Sequence, residues 1–241
     1  MALTSSAEAR QLNMLALTEG LLLGGTATLL LAKWMRGQLA FYIHPRYTAL
    51  IVVAAAVLLL MAAVRLRATF VERSTGGPGW VYLLLATPLL LGTLVPARPL
   101  GADTLAGRGV ELNSVASSGR AAQLARDTTS WNLLDWGTAL SIRGDELLGE
   151  PADVVGFVFH DEALGADAFY VVRYVVTCCA ADGAGVGLPV VWADGASLPE
   201  NGWVRVRGAI DRASLDGVEQ PVLRASAVEP IPQPESPYLY P

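Results

Sequence analysis

The sequence predicts a membrane-embedded α-helical N-terminal part followed by a water-soluble, mainly β domain. Two observations predict this division. Hydrophobic residues make up 53% of the 241 residues and charged residues only 16%, against about 25% charged in an ordinary soluble domain. The apolar excess also lies before about residue 97, whereas the chain beyond it has the usual mixture of charges, turns and alternating strands. A membrane anchor with a soluble domain explains both observations, and one large globular core does not.

Three apolar segments are predicted to span the membrane, at about residues 12–32, 47–64 and 80–97. The first two are long enough to cross about 30 Å of hydrocarbon at 1.5 Å per residue. The third contains Pro88, which membrane helices tolerate when neighbouring groups compensate for the lost hydrogen bond. A cleaved signal peptide is not expected, because two more apolar segments follow and no small-x-small site closes the first. Residues 1–97 are therefore predicted to be a multi-pass anchor surrounded by membrane lipid.

One ionisable side chain, Glu19, lies within the first predicted span. A charge there is costly unless it faces a partner or a wet cavity. Glu19 is thus a candidate polar site inside the membrane, in contact with a proton or a cation. The alternative is a carboxyl group that reaches interfacial water or is neutral. The basic residues flanking the spans divide evenly between the two sides, so charge alone does not predict the orientation.

A polar connector is predicted at 98–125, followed by a β domain at 126–230. A short helix that ends near Leu140 leads into the domain, and its cap is one of Asp127, Thr128 and Ser130. Five strand-like runs with turn signals between them favour a five-stranded OB-like barrel, with a sandwich as the alternative. The runs are Asp153–His160, Phe169–Cys179, Gly187–Ala193, Trp203–Asp211 and Val222–Glu229. The Pro-rich tail at 231–241 is predicted to lie extended along the surface.

The run that contains the two cysteines carries the candidate site. Side chains alternate across a strand, which predicts that Arg173 and Cys179 share one face with Val175 and Thr177. The other face carries Val172, Tyr174, Val176 and Cys178 and reads as core. Asp182 follows shortly after the run. Arg173, Cys179 and Asp182 are therefore the predicted centre for binding a substrate or a partner.

Several chemistries remain open for this centre. Cys179, Asp182 and His160 are the candidate ligands of a divalent metal ion, although a closed structural zinc site would need a fuller set of ligands. A disulfide between Cys178 and Cys179 would demand a distorted backbone, and a nucleophilic cysteine would have only His160 as a base. The plainest alternative is a pair of small thiols packed against the barrel.

Two function classes are disfavoured by what the chain does not contain. The net charge is −5, and no basic cluster with interleaved aromatic residues is present, so nucleic-acid binding lacks its electrostatic footprint. No Gly-rich phosphate loop, nucleophile elbow or His/Asp pattern at recognisable spacing is present either. The sequence therefore predicts a non-catalytic protein.

Several motifs resemble the YcgQ-like family of two-component permease subunits. The longest is RYVVTCCAADGAGVGLPVVW at 173–192, with VVGFVFH before it and GWVRVRGAI after it. YIHPRY, VPARPLG and PYLY match before the second span, after the third span and near the end. The resemblance covers nearly the whole chain, and its most specific part is the Arg…Cys-Ala-Ala-Asp pattern.

The resemblance implies an accessory subunit that works with a larger multi-span permease, with the β domain on the extracytoplasmic side of the cell membrane. It also implies a link to metal handling, although the His-rich loop of some relatives is missing here, because 65–79 contains no histidine or cysteine. Some relatives have a single cysteine that matches Cys179. The alternative function is a membrane-tethered structural or assembly protein whose barrel docks other envelope proteins.

Overall fold

The computed structural model describes residues 13–70, 80–110, 124 and 127–241. It divides the chain into two compact units. The helical unit comprises residues up to Leu39 together with Pro45–Arg98, and the β unit comprises Ala40–His44 together with Pro99–Pro241. The segment 40–44 lies between two helices in sequence but belongs to the β unit.

The helical unit contains three apolar helices at the predicted places: α1 Met14–Met35, α2 Thr48–Ala68 and α3 Trp80–Leu94. Helices α1 and α2 are long and apolar enough to cross a membrane, whereas α3 has 15 residues. Many large apolar side chains of α2 and α3 are exposed; on α2 they include Val53, Val57 and Leu60. Such a surface is unfavourable in water and is typical of a helix that faces lipid.

Glycines set the close approach of these helices. A Cβ atom on Gly20 would lie 2.7 Å from Leu66 Cγ, and one on Gly24 would lie 3.6 Å from Ala62 Cβ. Residue numbers rise along α1 as they fall along α2, so these two helices are antiparallel. The contacts of α1 with α3 run in the parallel sense and are Gly25 with Leu89 and Leu29 with Gly92. The unit is therefore an up–down–up arrangement of three helices in which small residues permit close packing.

In the part of the chain that the structure describes, the β unit consists of a six-stranded sheet and two helices, α4 Ala102–Arg108 and α5 Leu133–Arg143. Helix α5 is the predicted lead-in helix. Its N-cap is Asn132, which forms a capping box with Asp135, while Asp127 caps a separate single turn before it. The strands are β1 Pro151–Phe159, β2 Ala168–Val175, β3 Ala184–Val191, β4 Trp203–Leu215, β5 Val218–Pro230 and β6 Tyr238–Leu239.

The strand order is β1-β4-β5-β3-β2-β6, and β1 pairs with β2 in addition. Strands β1, β3, β4 and β5 therefore each have two strand neighbours, and β2 has three. The β3–β5 and β2–β6 pairs are parallel and the other pairs are antiparallel. Strands β4 and β5 are longer than predicted because Asp216 and Gly217, both with positive φ, form a tight hairpin turn, as expected of an Asp-Gly pair.

Two hydrophobic clusters cover opposite faces of β2. The main core contains Val171 and Val175, and a second cluster with α4 contains Val172 and Tyr174. Val175, which the alternation places on the same face as Arg173, is therefore buried in the main core. Strand β2 also ends at Val175, so strand alternation does not set the directions of the two cysteine side chains.

The predicted tail and connector differ from expectation in part. The tail forms β6 beside β2, and both Tyr238 and Leu239 are buried, so the prediction of an extended surface segment is wrong at these two residues. The described beginning of the connector forms α4. The rest of the connector, 111–123 and 125, lies outside the described residues.

Candidate functional site

The carboxylate of Asp182 holds the cysteine loop that follows β2. It accepts hydrogen bonds from the backbone N–H groups of Thr177 at 3.2 Å and of Cys178 at 2.7 Å. Desolvation raises the pKa of Asp182, but hydrogen bonds from the side chain and backbone of Cys178 and from the backbone of Thr177 and Cys179 outweigh it, so the net pKa lies below the usual value. The ionised carboxylate is therefore part of the loop structure at neutral pH.

The two thiols lie side by side at the surface of this loop. Their sulfur atoms are 3.7 Å apart, and Cys178 is exposed while Cys179 is half-buried. The hydrogen bond to Asp182, followed by that to Cys179, raises the pKa of Cys178 to about 11. A thiolate is the form that attacks electrophiles and binds metals, so Cys178 is protonated and weakly reactive at neutral pH.

The segment 40–44 pairs with the backbone of the cysteine loop. Ile43 and Cys179 form an antiparallel bridge. The N–H of His44 donates to Cys178 O at 2.9 Å, and the N–H of Ala180 donates to Tyr42 O at 2.8 Å. The cysteine loop thus presents its backbone to the connection between α1 and α2, and this pairing lies entirely within the β unit.

Tyr238 of the tail ties two more segments to the same place. Its hydroxyl accepts from Leu100 N at 2.8 Å and donates to Phe41 O at 3.1 Å. The rings of His44 and Tyr240 meet edge to face at 4.4 Å between centroids. Four segments therefore meet, and we call them the junction: 40–44, 99–101, 177–183 and 236–240. These are the places of four of the motifs that carry the family resemblance.

Arg173 is engaged with the tail. Its guanidinium donates to the backbone carbonyl groups of Ser236, Pro237 and Tyr238, at 3.2 Å for Pro237. It also lies over the Trp203 ring, 5.7 Å from the centroid. Desolvation lowers the pKa of Arg173. In this structure both charged members of the predicted centre, Arg173 and Asp182, bind backbone groups of the junction.

His160 lies in a different setting from the other predicted metal ligands. Its Nε2 pairs with the carbonyl oxygen of Leu198 at 3.0 Å and lies 3.9 Å from the Glu200 carboxylate. Within the described ranges, no group of three or more His, Cys, Asp and Glu side chains is arranged to hold a metal ion. The structure therefore does not assemble Cys179, Asp182 and His160 into one site.

Glu19 has two polar partners within the helical unit. Its carboxylate pairs with Arg65 Nε of α2 at 3.1 Å and accepts from the Tyr82 hydroxyl of α3 at 2.9 Å. Each of the three residues lies within about one and a half turns of its helix end, and the three ends coincide in the up–down–up arrangement. The cluster lines a cavity of about 460 Å³ whose other walls are mainly apolar. Glu19 is thus a paired group that joins three helices.

Sequence reasoning did not identify Arg65, Tyr82 or Tyr238 as site residues. The sequence held a signal for Arg65 and Tyr82, because each lies as close to the end of its predicted span as Glu19 does. The signal for Tyr238 was its place in the PYLY motif, but its role depends on β6 pairing with β2.

Two family models match nearly the whole chain. The model described as the DUF1980 N-terminal domain matches 18–111, and the DUF1980 C-terminal domain matches 122–241. The chain belongs to the DUF1980 family. A relative from Streptococcus mutans serotype c (strain ATCC 700610 / UA159), named "Putative two-component membrane permease complex subunit", is 23% identical over 266 residues, which cover 91% of this chain and 97% of the relative. The resemblance to permease subunits is thereby confirmed. The junction draws its segments from both DUF1980 domains.

Proposed function

We propose that this DUF1980 protein is a three-span, non-catalytic subunit of a membrane transport complex. Its β unit would be an OB-like barrel on the extracytoplasmic side, and its partner would be a larger multi-span permease. The name of the streptococcal relative supports the complex. The exposed apolar faces of α2 and α3 supply surface for lipid and for a partner helix.

The pairing of 40–44 within the β unit carries the three-span proposal. Segments that form one compact unit must lie on one side of the membrane. The chain from His44 to Pro99 therefore crosses the membrane an even number of times. Helix α2 is apolar and long enough to cross, and in our proposal α3 crosses as well. The 15 residues of α3 span about 22 Å, and the extended residues that follow add the remaining length.

The strand pairings support the barrel. Following neighbours from β1 gives the circuit β1-β2-β3-β5-β4 and back to β1, with β3 and β5 parallel. A five-stranded Greek-key barrel of the OB type is expected to close in this way.

The charges of the junction support a role without catalysis, because Asp182 and Arg173 bind backbone groups and the Cys178 thiol stays protonated.

Single-cysteine labelling tests the topology. In a chain with Cys178→Ser and Cys179→Ser, we would introduce Ser197→Cys in the β unit or Ser74→Cys between α2 and α3. We expect a membrane-impermeant maleimide to label Ser197→Cys in intact spheroplasts and Ser74→Cys only after lysis. Labelling of both before lysis, or of neither, would overturn three spans. The reverse pattern would overturn the extracytoplasmic side.

Site-specific photocrosslinking tests the partner. A photoreactive residue at the exposed Val57 of α2 is compared with one at the buried Ala55 in intact membranes. We expect Val57, and not Ala55, to crosslink to a multi-span protein. If every exposed position of α2 and α3 gives only lipid adducts, while positions of the β unit capture soluble envelope proteins, the assembly-protein alternative replaces the transport subunit.

A further inference from the structure

We propose that the two thiols of the cysteine loop are a reversible oxidation site, at which a disulfide oxidant joins Cys178 and Cys179 by a disulfide bond between neighbouring residues. They are the only cysteines of the chain, so neither has another thiol partner within one molecule. The reaction of the purified protein does not depend on the transport-complex proposal. Its use in the cell rests on the extracytoplasmic side proposed above, because disulfides persist in that oxidising compartment.

The bend of the cysteine loop brings the two thiols together. In a regular strand, the side chains of neighbouring residues point to opposite faces, which would keep the two sulfur atoms apart. Strand β2 ends at Val175. Beyond it, the Asp182 carboxylate binds the backbone N–H groups of Thr177 and Cys178, and the two sulfur atoms lie 3.7 Å apart. They must approach by about 1.7 Å to reach the length of an S–S bond.

The oxidation is a two-step thiol–disulfide exchange with an oxidant R–S–S–R. The half-buried Cys179, as its thiolate, attacks one sulfur atom of the oxidant, which breaks the oxidant's S–S bond and releases R–S⁻. This product takes up a proton and becomes R–SH. The Cys178 sulfur then attacks Cys179 Sγ, so the Sγ–Sγ bond forms, the bond to the oxidant breaks, and the departing R–S⁻ takes the Cys178 proton. The protein loses two electrons and two protons, and the oxidant is reduced to two molecules of R–SH.

The positions of the two thiols fit this order of steps. Cys178 has a pKa of about 11 because of its hydrogen bonds to Asp182 and Cys179, so it is the poorer nucleophile towards a dissolved oxidant. In the second step, its target sulfur belongs to the next residue, and this proximity offsets the low thiolate fraction. Cys178 is exposed, which leaves room for the departing thiol.

A disulfide between neighbouring residues is easily reduced. Consecutive Cα atoms are about 3.8 Å apart across a trans peptide, whereas most disulfides join Cα atoms about 4.4–6.8 Å apart. The bond is therefore strained, and strained or exposed disulfides are the labile ones. It also closes a loop of only two residues, which constrains the unfolded chain little. The site is thus suited to reversible modification and not to stabilising the fold.

Closure of the disulfide is expected to disturb the contact with the segment 40–44. The carbonyl oxygen of Cys178 accepts from the N–H of His44 at 2.9 Å, and Ile43 forms an antiparallel bridge with Cys179. That carbonyl belongs to the peptide group between the two cysteines, which must rotate as the sulfur atoms approach. Oxidation therefore weakens the pairing of the cysteine loop with the connection between α1 and α2, and reduction restores it.

Incubation of the full-length protein with oxidised glutathione, followed by acid quenching and intact mass, tests the oxidation. The wild type should lose the mass of two hydrogen atoms and both thiols that react with a maleimide, and excess reduced glutathione should restore both. Cys178→Ser should stop at one glutathione adduct on Cys179, because the second step has no nucleophile. A wild type that stays reduced, keeps glutathione adducts or is joined to a second copy by a disulfide would overturn the proposal.

Hydrogen exchange of the same samples tests the coupling to 40–44. In the disulfide form, the amides of His44 and Ala180 should exchange about five- to tenfold faster, which corresponds to the loss of about one backbone hydrogen bond. The variant with both Cys178→Ser and Cys179→Ser, treated with the same oxidant, is the matched control and should show no change. Equal exchange in the reduced and disulfide forms would refute the coupling to 40–44.

Discussion

Replacing Asp182 with Asn should make the Cys178 thiol more acidic and faster to alkylate. The Asp182 carboxylate is the largest cause of the pKa of about 11, against an ordinary value of 9.0. If the pKa returns to 9.0, the thiolate fraction at pH 8 rises about 100-fold. Thiolate nucleophilicity falls with pKa and offsets roughly eightfold of this. The net expected gain in the alkylation rate is about tenfold.

The assay follows iodoacetamide alkylation of the full-length protein from pH 7 to pH 11.5 by intact mass. Cys179→Ser is the parent, because serine keeps a hydrogen-bonding group beside Cys178 and leaves one thiol. Asp194→Asn, at an exposed carboxylate elsewhere in the β unit, is the control and should leave the rate unchanged. The reasoning is refuted if the parent titrates near 9.0, or if Asp182→Asn raises the rate at pH 8 without lowering the apparent pKa. The second outcome would mean that the loop opens instead.

Two further predictions concern the helical unit, and both are measured as unfolding free energies in detergent. Gly20→Ala should destabilise it by about 1–2 kcal/mol, since the new methyl group meets Leu66 at 2.7 Å. Gly24→Ala should be neutral or slightly stabilising, because its methyl group would have ordinary contact distances; equal losses in both would contradict the packing. Glu19→Ala and Arg65→Ala should be coupled by about 1–2 kcal/mol in a double-mutant cycle, between the values for surface and buried pairs. Additive effects would show that the ion pair contributes nothing.

Local patterns predicted the elements of the fold well. Continuous apolar runs marked α1, α2 and α3 at the right places, because a long run of apolar residues is readable directly in the composition. Alternating apolar residues and Gly-containing turns marked the first five strands. The end of β2 was predicted wrongly, because the Thr177–Cys179 backbone turns around Asp182, and a side chain that satisfies nearby backbone groups is hard to foresee from strand propensity.

The sequence identified residues of the candidate site but not the groups with which they form hydrogen bonds. Cys179 and Asp182 lie in the junction and Arg173 binds its tail segment, yet the hydrogen-bond partners of the two charged residues are backbone groups, which no pattern of side chains reveals. His160 was considered as a ligand because it is the only histidine of the domain predicted at 126–230. The distance between His160 and the cysteine loop depends on the paths of β1 and of the turn near Leu198, and the sequence does not specify that distance. The partners of Glu19 were not predicted either, because they depend on the register of α1 against α2. Glycine contacts set that register.

The place of 40–44 in the β unit has a consequence for the order of events during synthesis. This segment emerges from the ribosome before the residues with which it pairs, at 178–180 and 238–240, have been made. The intervening 140–200 residues take roughly 10–40 s at the usual rate of chain elongation. During that time its backbone groups must form their hydrogen bonds with water or with a chaperone. Strand β6 thus completes a contact whose other half, the segment 40–44, is translated long before it.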